Sequence, residues 1–171
     1  MSSSRPKTYN QLELKSFQLI LDRTPGLTYF CTSVSIPGVS ANAARVSTPF
    51  TDIKVTGDTL VFQPLIVNMI VDEEMQNWDE IFDWMVSYTH PTTFDEYKDS
   101  SQSQHNLYSS KVSDGRVIIP NNKYNNRHEF QFVDLHPIDL SDVVFDTQIA
   151  DTQVAIATVT FEYTSYHRIK H

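Results

Sequence analysis

Apolar and polar residues alternate with a period of two in several stretches of this chain and follow a helical period in one. In SFQLILD (residues 16–22), Phe17, Leu19 and Leu21 alternate with Gln18 and Asp22, the signature of a half-buried strand. Thr24-Pro25-Gly26 puts Pro and Gly at the centre of a type II turn. The strand is therefore expected to form an antiparallel hairpin with LTYFCTSVSI (residues 27–36). Pro37-Gly38 then opens a run of small residues, up to Ile53, that reads as extended chain packed closely against something. Thr56-Gly57-Asp58 reads as another turn. The longest apolar run, TLVFQPLIVNMIV (residues 59–71), follows it. Pro64 breaks that run as a helix and marks a bulge or an edge, giving one long kinked strand.

The helical period falls at about residues 73–88, in DEEMQNWDEIFDWMVSYTHP. Met75, Trp78, Phe82 and Met85 recur at spacings of three and four, with Ile81 and Tyr88 beside them. Asp72 stands where an N-cap belongs, Glu73 and Glu74 suit the positive end of the helix dipole, and Pro91 sets the stop. Trp78 reads as core. Trp84 lies off the centre of the stripe, where a neighbouring subunit is able to cover it.

Residues 92–114 form a long polar loop with little periodicity. Strands resume at GRVIIP and RHEFQFVDL, and His136-Pro137, read as a turn, opens LHPIDLSDVVFD. In the closing strand, QVAIATVTFEYTSY, one face carries Ala155, Ala157, Val159, Phe161 and Tyr163, and the other carries Thr158, Thr160, Glu162 and Thr164. The expected fold is mainly β: a β-sandwich or β-barrel of six or more strands with one flanking amphipathic helix. Residues 1–15 read as a flexible arm and 16–171 as a single domain.

Composition changes this picture only by exclusion. The 171 residues are 40% hydrophobic and 20% charged, as in an ordinary globular protein. No stretch approaches the ~18 apolar residues of a membrane span. The opening MSSSRPKTYNQ lacks the apolar core of a signal peptide. Cys31 is the single cysteine, so one chain holds no disulfide framework, and folding in a cytosol is expected. The net charge is −8, and residues 72–100 hold nine Asp/Glu against one Lys. Such a block argues against binding a phosphate backbone.

The same residues give little chemistry. Carboxylate pairs at Asp72/Glu73/Glu74, Asp79/Glu80/Asp83 and Asp95/Glu96 fall on the helix surface or in the loop, whereas acid–base catalysis needs a pair held in a cleft. The six histidines are scattered at positions 90, 105, 128, 136, 167 and 171 and give a metal site only weak support. There is no Gly-x-Ser-x-Gly elbow and no phosphate-binding glycine loop. Cys31 reads as a small buried hydrophobe. No catalytic residue, metal ligand or cofactor is assigned; a hydrolase or ligand-binding barrel using Asp79, Asp83 and His90 is the reading from a different class.

FCTSVSIPG (Phe30–Gly38), Gly57-Asp58 before the long strand, WDEIFDW (Trp78–Trp84), FQFVDLHPIDLSDVVFD (Phe130–Asp146) and ATVTFEYTSY (Ala157–Tyr166) occur in an order that resembles the tail-tube proteins of contractile-tailed bacteriophages. Those proteins are similar in fold to type VI secretion tube proteins. The polar segment 92–114 and the tail YHRIKH depart from the pattern. The resemblance implies a structural virion protein, assembled in the host cytoplasm into six-membered rings of itself. The rings stack into a hollow tube that meets sheath and baseplate proteins, and DNA passes through it without specific binding. A baseplate or tube-end ring protein of the same fold is the alternative it leaves open. Candidate assembly contacts are Ile36, Pro37, Gly38, Val39, Ala41, Ala43, Arg45, Pro49 and Phe50. Thr158, Thr160, Glu162 and Thr164 are candidate channel-lining residues.

Overall fold

Among the described residues, nine strands and two helices account for most of the structure, which is mainly β. The structure is a computed structural model and describes residues 11–89, 111–121, 125–146, 148 and 153–170. Most of the N-terminal arm and residues 92–110 of the polar loop lie outside that description, as do His90 and Asp95/Glu96.

The strands are β1 (Gln18–Leu21), β2 (Cys31–Ser35), β3 (Val39–Ser47), β4 (Asp52–Phe62), β5 (Leu65–Ile70), β6 (Ser113–Pro120), β7 (Asn126–Leu140), β8 (Ile156–Glu162) and β9 (Ser165–Lys170); the helices are α1 (Pro25–Phe30) and α2 (Gln76–Thr89). Seven strands form one sheet, in the order β1-β6-β7-β8-β5-β2 with β9 on β7, and β3 pairs with β4 in a separate ribbon.

The sheet folds over along β7. Residues 128–133 of β7 pair with β9, whereas residues 136–140 pair with β8. The change falls at Asp134, whose backbone has a positive φ of 58°. Asp tolerates that region better than most residues because its short side chain bonds locally. Here Thr164 donates its hydroxyl to Asp134 Oδ2 at 3.1 Å, and the Asp134 amide donates to Asp114 Oδ1 at 3.4 Å.

The core lies between the two halves and follows strand periodicity. Leu19, Leu21, Val117, Ile119, Phe132 and Leu135 come from one half, and Leu65, Val67, Met69, Ala157, Val159 and Phe161 from the other. The expected apolar face of the closing strand is thus borne out at Ala157, Val159 and Phe161. Its final residues differ from expectation, because Ser165–Lys170 forms a separate strand, β9.

Several local expectations are corrected. No hairpin forms through Thr24-Pro25-Gly26: β1 pairs with β6, and β2 with β5. Pro25 instead opens α1, since its fixed φ suits a first helical turn as well as a turn centre. The Gly26 amide donates to Glu80 Oε2 at 3.1 Å, tying α1 to α2. Gly57 lies within β4, and the turn expected there falls at Thr48–Thr51, where the Thr48 amide donates to the Thr51 carbonyl at 3.3 Å. Pro64 separates two strands, β4 and β5, which sit in different sheets. His136-Pro137 is no turn but part of β7, which absorbs the proline at a register shift.

The helix begins three residues later than its first acidic residue suggests. Asp72 and Asn77 exchange bonds: the Asp72 amide donates to Asn77 Oδ1 at 3.3 Å, and the Asn77 amide to Asp72 Oδ1 at 3.5 Å. Asn77 Nδ2 also donates to the Ile70 carbonyl at 2.7 Å, so this buried amide fixes the helix start to the end of β5.

The two tryptophans exchange the roles expected of them. Trp84 is 2% exposed, with its ring 6.1 Å from that of Phe161 and its Nε1 donating to the Lys111 carbonyl at 2.9 Å. Trp78 packs at the edge of the core, stacked on Phe82, which is 47% exposed. Asn77, Ile81 and Trp84 form the buried line of α2. The apolar sector is wider than the core requires, and the core takes the side away from Phe82.

Candidate functional site

Residues Val39–Phe62, apart from the Thr48–Thr51 turn, make a two-stranded ribbon that packs on no other element to a comparable extent. Every residue of β3 is exposed. A two-stranded ribbon is marginal in water on its own, so its root and its surroundings decide its shape.

The root is an aromatic cluster of Phe62, Phe130, Phe132, Tyr163 and Tyr166, with neighbouring ring centroids 5.0–6.1 Å apart. Both tyrosine hydroxyls grip the backbone of the ribbon's legs. Tyr166 donates to the Pro37 carbonyl at 3.3 Å, just before β3 begins. Tyr163 donates to the Gln63 carbonyl at 2.7 Å, just after β4 ends. The Gln63 amide closes the root by donating to the Gly38 carbonyl at 3.0 Å. Burial and the neighbouring Tyr166 push the Tyr163 phenol up to about 12, which keeps it a donor.

Beyond the root the ribbon shifts register between Ala41 and Ala43, where β4 bulges at Gly57. A Cβ on Gly57 would lie 2.0 Å from the Asn42 carbonyl oxygen, so only glycine fits that approach. Past the bulge the two faces differ in character. Ala44 pairs with Val55 and Val46 with Ile53, giving an apolar side. Ala43 pairs with Thr56, Arg45 with Lys54 and Ser47 with Asp52, giving a polar side. Phe50 in the tip is 97% exposed.

The candidate contact residues therefore fall in one continuous structure, from the ribbon's entry to its tip. Ile36, Gly38, Val39, Ala41, Ala43, Arg45, Pro49 and Phe50 are exposed. Pro37 is buried and acts as an anchor, not a surface. The tyrosine clamp was not apparent in the sequence, although the spacing of Tyr163 and Tyr166 after Phe161 was its visible trace. The opposition of Arg45 and Lys54 needed a hairpin register that the sequence reading did not draw.

A second surface is the outer face of the β2-β5-β8-β7 half, opposite the core. Thr158, Thr160 and Glu162 share it, with Thr158 and Thr160 half-buried and Glu162 exposed. Thr164 lies past the end of β8 and serves Asp134 at the bend instead. A polar chain crosses the strands here. Asn68 Nδ2 donates to Ser33 Oγ at 2.8 Å, the Thr158 hydroxyl donates to Asn68 Oδ1 at 2.7 Å, and the Thr158 amide donates to Ser141 Oγ at 2.9 Å. Asp139, opposite Thr160, and Glu162 add carboxylates to this hydroxyl- and amide-rich face.

Neither surface holds reactive chemistry. Among the described residues no three His, Cys, Asp or Glu side chains gather to hold a metal ion. Cys31 is half-buried, contrary to its expected full burial, and desolvation pushes its thiol up to about 11. It is held as a thiol, not as a nucleophilic thiolate. Asp79 and Asp83 are exposed on α2, and no described helix is long and apolar enough to cross a membrane.

Comparison with known proteins fits this picture of surfaces without a reaction centre. The chain is 26% identical over 173 residues to the tail tube terminator protein of Enterobacteria phage T4, covering 97% of this chain and 93% of that protein. Its fold is similar to the tube-terminating cap of the anti-feeding prophage, with a TM-score of 0.66 and 11% identity over 100% of this chain and 99% of that one. It is also similar to a chain of the PVC extracellular contractile injection system, from its sheath–tube complex in the extended state. There the TM-score is 0.64 and the identity 14%, over 95% of this chain and 94% of that one. The family model for phage tail tube protein matches residues 5–169. The chain belongs to the phage tail tube protein family and is a structural tail component, not an enzyme.

Proposed function

We propose that this protein is the ring at the end of a tail tube, built from copies of itself and closing the tube where it meets its terminal partners. The observation that carries this reading is the near full-length match to the tail tube terminator of phage T4. The likeness to a tube-terminating cap supports it at the level of fold. In this reading the chain assembles in the host cytoplasm as a six-membered ring and enters the virion tail beside sheath proteins. The exposed ribbon supplies the contact between copies. The face carrying Thr158, Thr160 and Glu162 lines the opening, with Thr164 at its margin. Hydroxyls there hydrogen-bond water and carboxylates repel phosphates, so DNA passes without being held.

A second reading, a repeating subunit of the tube itself with partners in the sheath and baseplate, is supported by the likeness to a sheath–tube complex chain. Electron microscopy of the purified protein separates the two. Discrete rings that stay single as concentration rises fit a tube end. Long tubes would overturn that reading in favour of the repeating subunit, and particles that never exceed one chain would overturn both. Labelling of intact virions then locates the ring, which is expected at one end of the tube only.

A further inference from the structure

Arg45 and Lys54 stand directly across from each other on the ribbon. Both are exposed. Neither has an ion-pair partner among the described residues. Like charges directly opposed on paired strands repel. Asp52, one pair further along the same side, supplies a single carboxylate, so this side of the ribbon keeps an excess of positive charge. A repulsive pair on a ribbon that, among the described residues, is held to the body mainly at its root has the form of a contact completed from outside.

The reverse arrangement sits on α2. Residues 72–89 carry six Asp/Glu and no Lys or Arg. Asp79 and Asp83 lie about one helical turn apart and are both exposed. Between them Phe82 presents a half-exposed ring stacked on Trp78. On the ribbon side, Phe50 is exposed next to the cationic pair's strands.

We infer that the Arg45–Lys54 pair of one copy docks on the Asp79–Asp83 turn of α2 in a second copy. The contact rests on the ring reading above and names the surfaces that make it. Charge complementarity selects this occupant: the chain is net acidic, and its most acidic described element offers two adjacent carboxylates beside an exposed aromatic ring. Each copy carries one ribbon and one α2, so the contact runs head to tail and closes into a ring when the rotation permits. Desolvated charge pairs of this kind govern which surfaces meet and how fast.

Charge exchange tests the contact. Arg45→Glu with Lys54→Glu, Asp79→Lys with Asp83→Lys, and the fourfold variant are compared with the unaltered protein by sedimentation and electron microscopy, with circular dichroism reporting the fold. Each double variant is expected to raise the concentration for half-assembly by about tenfold or more at low salt, and the fourfold variant to restore it. Added salt should shrink these differences. Normal rings from the Glu pair, or no restoration in the fourfold variant, overturn the inference and leave the ring reading standing. Normal rings that have lost affinity for DNA assign the cations to nucleic acid and also overturn it. If the unaltered protein forms no ring at all, the ring reading fails and the contact fails with it. Should a reversal disturb folding, Arg45→Gln with Lys54→Gln keeps the test open: unchanged assembly from that variant is equally fatal.

Discussion

The Tyr163 hydroxyl donates to the Gln63 carbonyl at 2.7 Å, across 100 residues of sequence. This bond and the one from Tyr166 to Pro37 fix both legs of a ribbon that, among the described residues, packs on no other element to a comparable extent. Tyr163→Phe keeps the ring in its cluster and removes only the donor. We expect a loss of about 1 kcal/mol in global stability, the usual net value of one such bond. The larger effect is local: amide exchange in residues 38–62 should accelerate in Tyr163→Phe and more in the double variant with Tyr166→Phe. Unchanged exchange there would mean that ring packing alone holds the root.

The clamp also carries a pH dependence whose sign follows from burial. Tyr163 titrates at about 12 in the folded chain, against 10.0 for an ordinary phenol. Below pH 10 the phenol is protonated in both states, and its contribution to stability is intact. Between 10 and 12 the unfolded chain releases the proton first and binds fewer protons than the folded one, so stability falls as pH rises. Above about 12 the contribution is gone, and the phenolate has no proton for Gln63. Denaturation midpoints measured across this window should decline less steeply in Tyr163→Phe. An equal decline would assign the effect to other groups, such as Tyr88, whose phenol burial also raises.

Trp84 and Phe82 separate stability from surface. Trp84→Ala removes a ring that is 2% exposed and lies against Phe161, and is expected to cost about 3–5 kcal/mol. Phe82→Ser removes a ring that is 47% exposed, and should change the unfolding midpoint little while weakening assembly. Chemical denaturation and ring yield, measured on both variants, check the pair. A large stability loss in Phe82→Ser would place that ring in the fold, not on a contact surface.

That contrast marks how far the sequence could be read. Period-two alternation identified the buried side of β8, because a strand with one wet face leaves an unambiguous record. The helix was also evident, but its apolar sector spans Ile81 and Trp84 on one side and Trp78 and Phe82 on the other, and periodicity cannot say which side meets the sheet. Pro25 suits a turn centre and a helix start equally, so its neighbours in space decided, through Glu80 on the Gly26 amide. The segment 39–47 was legible as extended chain. Its partner strand was hidden because Thr48-Pro49-Phe50-Thr51 lacks the Asn-Gly or Asp-Gly signal of a tight hairpin. The clamp joins Tyr163 and Tyr166 to residues 100 and 129 positions away, and no local pattern records such pairings.

Gly57 makes the ribbon's shape testable with one methyl group. A Cβ there would meet the Asn42 carbonyl oxygen at 2.0 Å, well inside any real contact, and the obstacle is backbone, not a flexible side chain. The positive-φ residues described are Met75 and Asp134, so Gly57→Ala is opposed by space and not by torsion. Relief requires β3 and β4 to part at the bulge or to slip in register. A slip of one residue would set Val46 or Ala44 opposite Lys54 and end the opposition of Arg45 and Lys54. The ribbon packs so little on the body that global stability should change by less than about 1 kcal/mol. Amide protection in residues 43–56 should fall, and ring formation should fall with it. Assembly retained alongside lost protection would separate the ribbon's internal pairing from its docking role; protection retained would show that the bulge accommodates the methyl group.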